Sequence, residues 1–188
     1  MGARPRDNAD AAADALRGGG IVAHPTEAVW GLACDPANER ATLRLLALKR
    51  RPVDKGLILL AASVAQLDGL VDWGALPPKR ADEIRRSWPG PNSWVMPATA
   101  TVPPWIRGVH AGVAVRVTAH APAAALCRAF GGPVVSTSAN RAGAPPPREL
   151  EGFDPAVLDG VDSVLEGETG SLARPTTIRD ALTGAVLR

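Results

Sequence analysis

Residues 39–62, ERATLRLLALKRRPVDKGLILLAA, change their periodicity halfway along. Leu43, Leu45, Leu46 and Leu48 give the first half the broad apolar face of a helix from about Glu39 to Arg50, with Asn38 or Asp35 placed to cap it and Pro52 to end it. Lys49, Arg50 and Arg51 then fall on its last turn. Leu57 to Ala62 is an unbroken apolar run of strand length, which predicts an interior strand covered on both faces. A helix handing over to such a strand through one short turn is an α/β unit, and it sets the class for the whole chain.

The flanks repeat the alternation. Upstream, Asn8 caps a short helix that stops at Gly18-Gly19-Gly20, and Ile21-Val22-Ala23 leads through Pro25 to the polar pair Thr26-Glu27, with a second apolar segment, Ala28 to Leu32, behind it. Downstream, Pro77-Pro78 starts a helix reaching about Ser87, and Trp88-Pro89-Gly90-Pro91 makes a turn before the strand at Ser93 to Met96. In Val113 to Thr118 the valines share one face and Arg116 projects from the other. Pro122 to Phe130 reads as a helix, Val134 to Ser138 as a strand, and Thr176 to Asp180 with Ala185 to Leu187 as a terminal hairpin around Thr183-Gly184. The expectation is one α/β domain over residues 1–188, a twisted mixed sheet flanked by helices, with Arg141 to Pro147 as an exposed loop.

Composition narrows the function classes. The 188 residues are 46% hydrophobic and 21% charged, enough for a real core, and the 19 Gly and 18 Pro are scattered, not periodic, so a collagen-like or disordered chain is excluded. Two cysteines, Cys34 and Cys127, make no disulfide framework and have no ligand spacing for a metal. No apolar run approaches a membrane span and the N-terminal residues lack the apolar core of a signal peptide, so a soluble cytoplasmic protein is expected. A net charge of +2 argues against bulk electrostatic binding of nucleic acid. Lys49, Arg50, Arg51 and Lys55 less Asp54 give +3 within seven residues, leaving −1 for the other 181.

That turn is where chemistry is expected. Two of the chain's three lysines flank it beside a forked arginine, a donor set suited to phosphate oxygens; a solvated helix end complementing its dipole is the competing account. Ser136, Ser138 and Asn140 end a strand with both hydroxyls on one face, which suits phosphate or carboxylate recognition or, more simply, a turn. There is no G-x-S-x-G elbow, and His24, His110 and His120 have no assignable relation to the serines, so a hydrolase triad is rejected. The G-x-x-x-x-G-K-[ST], G-x-G-x-x-G and H-E-x-x-H motifs are absent.

Taken in order, HPTEAVWGLACDP, LKRRPVDKGLILLAA, WPGPNSWVMPA, VAVRV, PVVSTSANRAGAPP and PTTIRDALTG closely resemble the YrdC family, in particular its short bacterial members, from about Gly20 to Arg188. The resemblance implies a concave basic ligand cleft and an enzyme that forms threonylcarbamoyl-adenylate and pyrophosphate from L-threonine, bicarbonate and ATP, for the t6A modification of tRNA. By resemblance, Lys49 and Arg51 of the K-x-R-P motif are the catalytic pair and, with Lys55, Ser93, Ser138, Asn140 and Arg188, the ATP contacts. Thr26, Arg116, Ser136 and Thr176 match positions around threonine, Arg116 facing its carboxylate.

Mg2+ is expected to arrive with ATP, with no protein-ligated metal, since no carboxylate pair is spaced as a cage. The implied partners are a downstream threonylcarbamoyl transferase complex and, weakly, tRNA. Where many relatives read P-T-E-T-x-Y-G this chain has Ala28 and Trp30, and the loop after S-A-N reads Ala144-Pro145-Pro146-Pro147 in place of a serine-bearing one. A carbamoyl-adenylate-forming module and an RNA-binding or ribosome-assembly protein are the alternative readings.

Overall fold

In the computed structural model, which describes residues 5–174 and 176–187, the predicted alternation of helices and strands is present. The elements are α1 (Ala9–Arg17), β1 (Val22–Pro25), β2 (Trp30–Ala33), α2 (Glu39–Leu48), β3 (Ile58–Ala61), α3 (Pro78–Arg86), β4 (Asn92–Pro97), α4 (Pro104–Arg107), β5 (Gly112–Val117), α5 (Ala121–Phe130), β6 (Val134–Ser138), α6 (Pro155–Asp159), β7 (Ser163–Val164) and β8 (Thr177–Asp180). The caps are the expected ones: Asn8 Oδ1 accepts from the Ala11 amide at 2.9 Å and Asn38 Oδ1 from the Ala41 amide at 3.0 Å.

Helix α2 stops at Leu48, two residues earlier than the sequence pattern predicts. Arg50 takes a left-handed φ of 51°, and the amides of Arg50 and Arg51 fold back on the carbonyls of Ala47 and Leu46 at 3.0 and 2.9 Å. This is a Schellman ending with an arginine where glycine is the usual residue. The reversal separates the three basic side chains that the sequence placed on one turn, and Lys49 turns inward.

The strands form one mixed sheet in the order β7-β1-β2-β6-β3-β5-β4-β8. Pairs β7–β1, β3–β5 and β4–β8 are parallel and the others antiparallel. The terminal hairpin forms narrowly: residues 185–187 return along β8 through a single bridge, Arg179 to Val186. The short elements β7, α4 and α6 add to those the sequence pattern predicts.

Strand alternation divides the molecule. Leu59 and Ala61 of β3, Val115 and Val117 of β5 and Val135 of β6 point into the larger core, packed with residues of α2, α3, α4 and α6. Leu60 and Val134 point the other way, into a smaller core under α1 and α5. Helices α1 and α5 cover only part of that second face, and the uncovered part is the floor of the cleft described next.

Candidate functional site

One register row runs across the open face. Ser136 of β6 lies opposite Ile58 of β3, Ile58 opposite Ala114 of β5, Ala114 opposite Val95 of β4, and Val95 opposite Asp180 of β8. All five line a cleft of about 1030 Å³, room for a nucleotide with a second small molecule. Its walls come from the chain after β1 (Thr26, Ala28, Val29), from the turn after α2 (Arg51, Lys55), from the loop after β6 (Asn140, Pro146) and from the segment before β8 (Arg174, Thr176).

Of the residues singled out in the sequence, Thr26, Arg51, Lys55, Arg116, Ser136, Ser138, Asn140 and Thr176 line this cleft. Lys49 and Ser93 do not. Lys49 is 3% exposed, and its ammonium donates to the carbonyls of Ser138 and of Asn140, the latter at 2.6 Å, so it ties down the serine-asparagine loop from beneath. Burial, aided by the neighbouring Arg51, presses its pKa down to about 8. Ser93 is wholly buried behind the wall, its hydroxyl 3.3 Å from that of Thr176. Arg188 lies outside the described residues. Asn140 Nδ2 closes the loop on itself through the carbonyls of Arg141 and Ala144 at 2.9 and 2.6 Å.

Arg116 is buried, and 3.3 Å separates its Nη1 from Oε2 of Glu27, whose other oxygen accepts from the Thr118 hydroxyl at 2.6 Å. Burial pushes the Glu27 carboxyl up, but Arg116 and the Thr118 hydroxyl outweigh it, holding the group below the ordinary carboxylate range. The carboxylate therefore anchors the guanidinium with one face toward the cleft. Thr26 is fixed by donating to the Val29 carbonyl at 2.7 Å.

Sequence reasoning missed three contributors. Arg107, His110 and Arg174 also line the cleft, brought there by α4 and by the chain that runs from β7 at one edge of the sheet to β8 at the other. Isolated arginines carry no spacing signal, so only the topology reveals them. The sequence assigns no relation between the histidines and the serines, and the structure supplies one: His24 Nε2 lies 3.3 Å from Ser136 Oγ, while its Nδ1 faces the Pro25 carbonyl and not a carboxylate. Cys34 and Cys127 are buried, with burial raising both thiols to about 12. Asp180 is the carboxylate in the lining, and no group of three or more His, Cys, Asp or Glu side chains gathers among the described residues. No described helix is long and apolar enough to cross a membrane.

A mixed sheet whose half-open face carries arginines and hydroxyls at the floor and walls of one cleft defines a single-domain α/β protein with a cleft of small-molecule size. Comparison with known proteins narrows that class. The Sua5/YciO/YrdC family model, described as "Telomere recombination", matches residues 14–188, and the chain belongs to this family. It is 56% identical over 179 residues to the threonylcarbamoyl-AMP synthase of Stenotrophomonas maltophilia and 55% identical over 179 residues to that of Xanthomonas euvesicatoria, in each case covering 95% of this chain and 96% of the relative. Among solved structures, P. abyssi Sua5 complexed with L-threonine superposes with a TM-score of 0.81 at 32% identity, over 92% of this chain and 50% of that one. This chain thus spans about half of that protein. E. coli YciO, at 23% identity and a TM-score of 0.83, shares the fold.

Proposed function

We propose that this protein is an enzyme that makes threonylcarbamoyl-adenylate and pyrophosphate from L-threonine, bicarbonate and ATP, supplying t6A modification of tRNA in the cytoplasm. The observation that carries the reading is the near full-length identity to proteins named threonylcarbamoyl-AMP synthase, joined to a cleft with cationic and hydroxyl-bearing walls. Threonine's amine captures CO2 as an N-carboxylate, whose oxygen then attacks the α-phosphorus as the bond to pyrophosphate breaks. Little covalent work falls to the protein; it must orient three reactants and neutralise phosphate charge.

In this reading Arg51, Lys55, Ser138 and Asn140 face the triphosphate, and Thr26, Arg116, Ser136 and Thr176 surround threonine. Lys49, named from the motif as a catalytic ATP contact, acts by holding the carbonyls of Ser138 and Asn140, and Ser93 acts through Thr176. Mg2+ would arrive bound to ATP, where it would supply positive charge to the phosphates alongside Arg51 and Lys55. A cleft rich in arginine and hydroxyl groups fits an ion already held by phosphates better than one held by protein. The adenylate passes to a threonylcarbamoyl transferase complex, and tRNA meets this chain weakly. Pyrophosphate release should require both L-threonine and bicarbonate. Equal release with serine, or without bicarbonate, would overturn the assignment, and tight, steeply salt-dependent tRNA binding without release would favour an RNA-binding protein.

A further inference from the structure

One buried side chain next to the cleft has no part in the chemistry above. His24 lies on β1, opposite Gly31 of β2, which in turn lies opposite Ser138 of β6. Its ring lies over Gly31: a Cβ there would come within 2.9 Å of Nε2 and 3.3 Å of Cε1. The missing side chain lets the imidazole cross β2 and bring Nε2 to 3.3 Å from the Ser136 hydroxyl, while Nδ1 lies 3.3 Å from the Pro25 carbonyl. The residue is completely buried.

The two contacts fix the protons. A carbonyl only accepts, so the hydrogen sits on Nδ1. Burial favours the uncharged ring, pressing its pKa down to about 4, with Arg116 and His120 acting in the same direction and the Pro25 carbonyl and Glu27 against it. A neutral ring protonated at Nδ1 has a bare Nε2, so the Ser136 hydroxyl must donate to it. The lone pairs of Ser136 Oγ are then what this residue offers the cleft it lines.

We propose that His24 is a positioning residue that turns Ser136 into a dedicated hydrogen-bond acceptor, so that the ligand group meeting Ser136 is an N–H donor and not a carboxylate oxygen. Resting on the threonine reading above, this assigns the amino nitrogen of the substrate to the Ser136 side of the cleft and its carboxylate to the Arg116 side. Specificity for an amino acid over a deaminated acid then originates partly on β1, a strand the ligand does not touch through His24.

The test is calorimetric binding of L-threonine, ATP and 3-hydroxybutyrate, which lacks the amino group, to the full chain. His24→Phe keeps the ring volume and removes both nitrogens. It should weaken threonine about tenfold, the worth of one hydrogen bond, and leave ATP and 3-hydroxybutyrate within about twofold. His24→Gln, whose Oε1 can stand near the place of Nε2, should recover most of the loss. In a Ser136→Ala background His24→Phe should add nothing further.

Unchanged threonine affinity in His24→Phe, equal losses for all three ligands, or additive losses in the double variant would overturn the proposal. Nitrogen-15 spectra of the imidazole in the ligand-free protein should show Nδ1 protonated and Nε2 bare from about pH 6 to about pH 8, and a protonated Nε2 overturns it directly. No binding of threonine by the unsubstituted protein would instead defeat the threonine reading, with the spectra still deciding the His24–Ser136 orientation.

Discussion

Replacing Lys49 by methionine separates two roles for the lysine of the K-x-R-P motif. The ammonium is buried beneath the serine-asparagine loop and donates to the Ser138 and Asn140 carbonyls. Methionine fills a similar volume and leaves both carbonyls without this donor, at about 1–3 kcal/mol each. Against this, removing the cation relieves its desolvation. Its pKa of about 8 against an ordinary 10.5 corresponds to about 3 kcal/mol of strain in the charged form at neutral pH.

The two effects largely offset, so Lys49→Met should lose about 0–3 kcal/mol, at about 2–4 °C per kcal/mol in melting temperature. ATP affinity should fall much further, because the loop carrying Ser138 and Asn140 is no longer held. Urea unfolding and calorimetric titration with ATP at two salt concentrations check this. ATP binding that keeps most of its affinity at low salt, with a salt dependence shallower by one charge, would show that Lys49 is a phosphate ligand and refute the anchoring argument.

Arg51→Ala should abolish turnover, since Arg51 lines the cleft, while the loss of its bonds to the Lys55 and Gly56 carbonyls should lower the thermal melt by only about 2–4 °C; full turnover would remove it from the site. Arg50→Gly should raise stability by up to about 1 kcal/mol in urea unfolding, because glycine adopts a φ of 51° without steric cost. Gly31→Ala should cost about 1–3 kcal/mol and weaken threonine binding, since the new Cβ would stand 2.9 Å from His24 Nε2 and 3.2 Å from the Thr137 carbonyl oxygen. His24 has a folded pKa of about 4, below its ordinary 6.5, so its contribution is complete above pH 6.5 and is lost as pH falls through about 4. The stability difference between the parent and His24→Phe should therefore shrink by about 3 kcal/mol between neutral and acid pH in stepwise urea unfolding; a constant difference would contradict a neutral His24.

Much of this was legible in the sequence, for reasons that can be named. The caps Asn8 and Asn38 and the alternation in Val113 to Val117 are local signals, and local geometry obeys them. The face shared by Ser136 and Ser138 follows from strand alternation alone. What escaped depends on contacts between distant segments. The inward turn of Lys49 follows from a left-handed Arg50 that no propensity favours. His24 meets Ser136 because one glycine lies on the strand between them, and Arg174 reaches the cleft because the chain crosses the sheet from edge to edge.

The alternation that built the cleft also sets how the protein can change. On β3, β5 and β6, cleft-facing residues interleave one by one with residues of the main core: Arg116 stands between Val115 and Val117, and Ser136 follows Val135. Point substitutions on the open side can therefore retune recognition while the valines beside them stay put. A single inserted or deleted residue would exchange the two sets, presenting valines to the ligand and burying a guanidinium among leucines. Variation in these strands is thus confined to exchanges of side chain at fixed length, and changes in chain length are left to the loops around them.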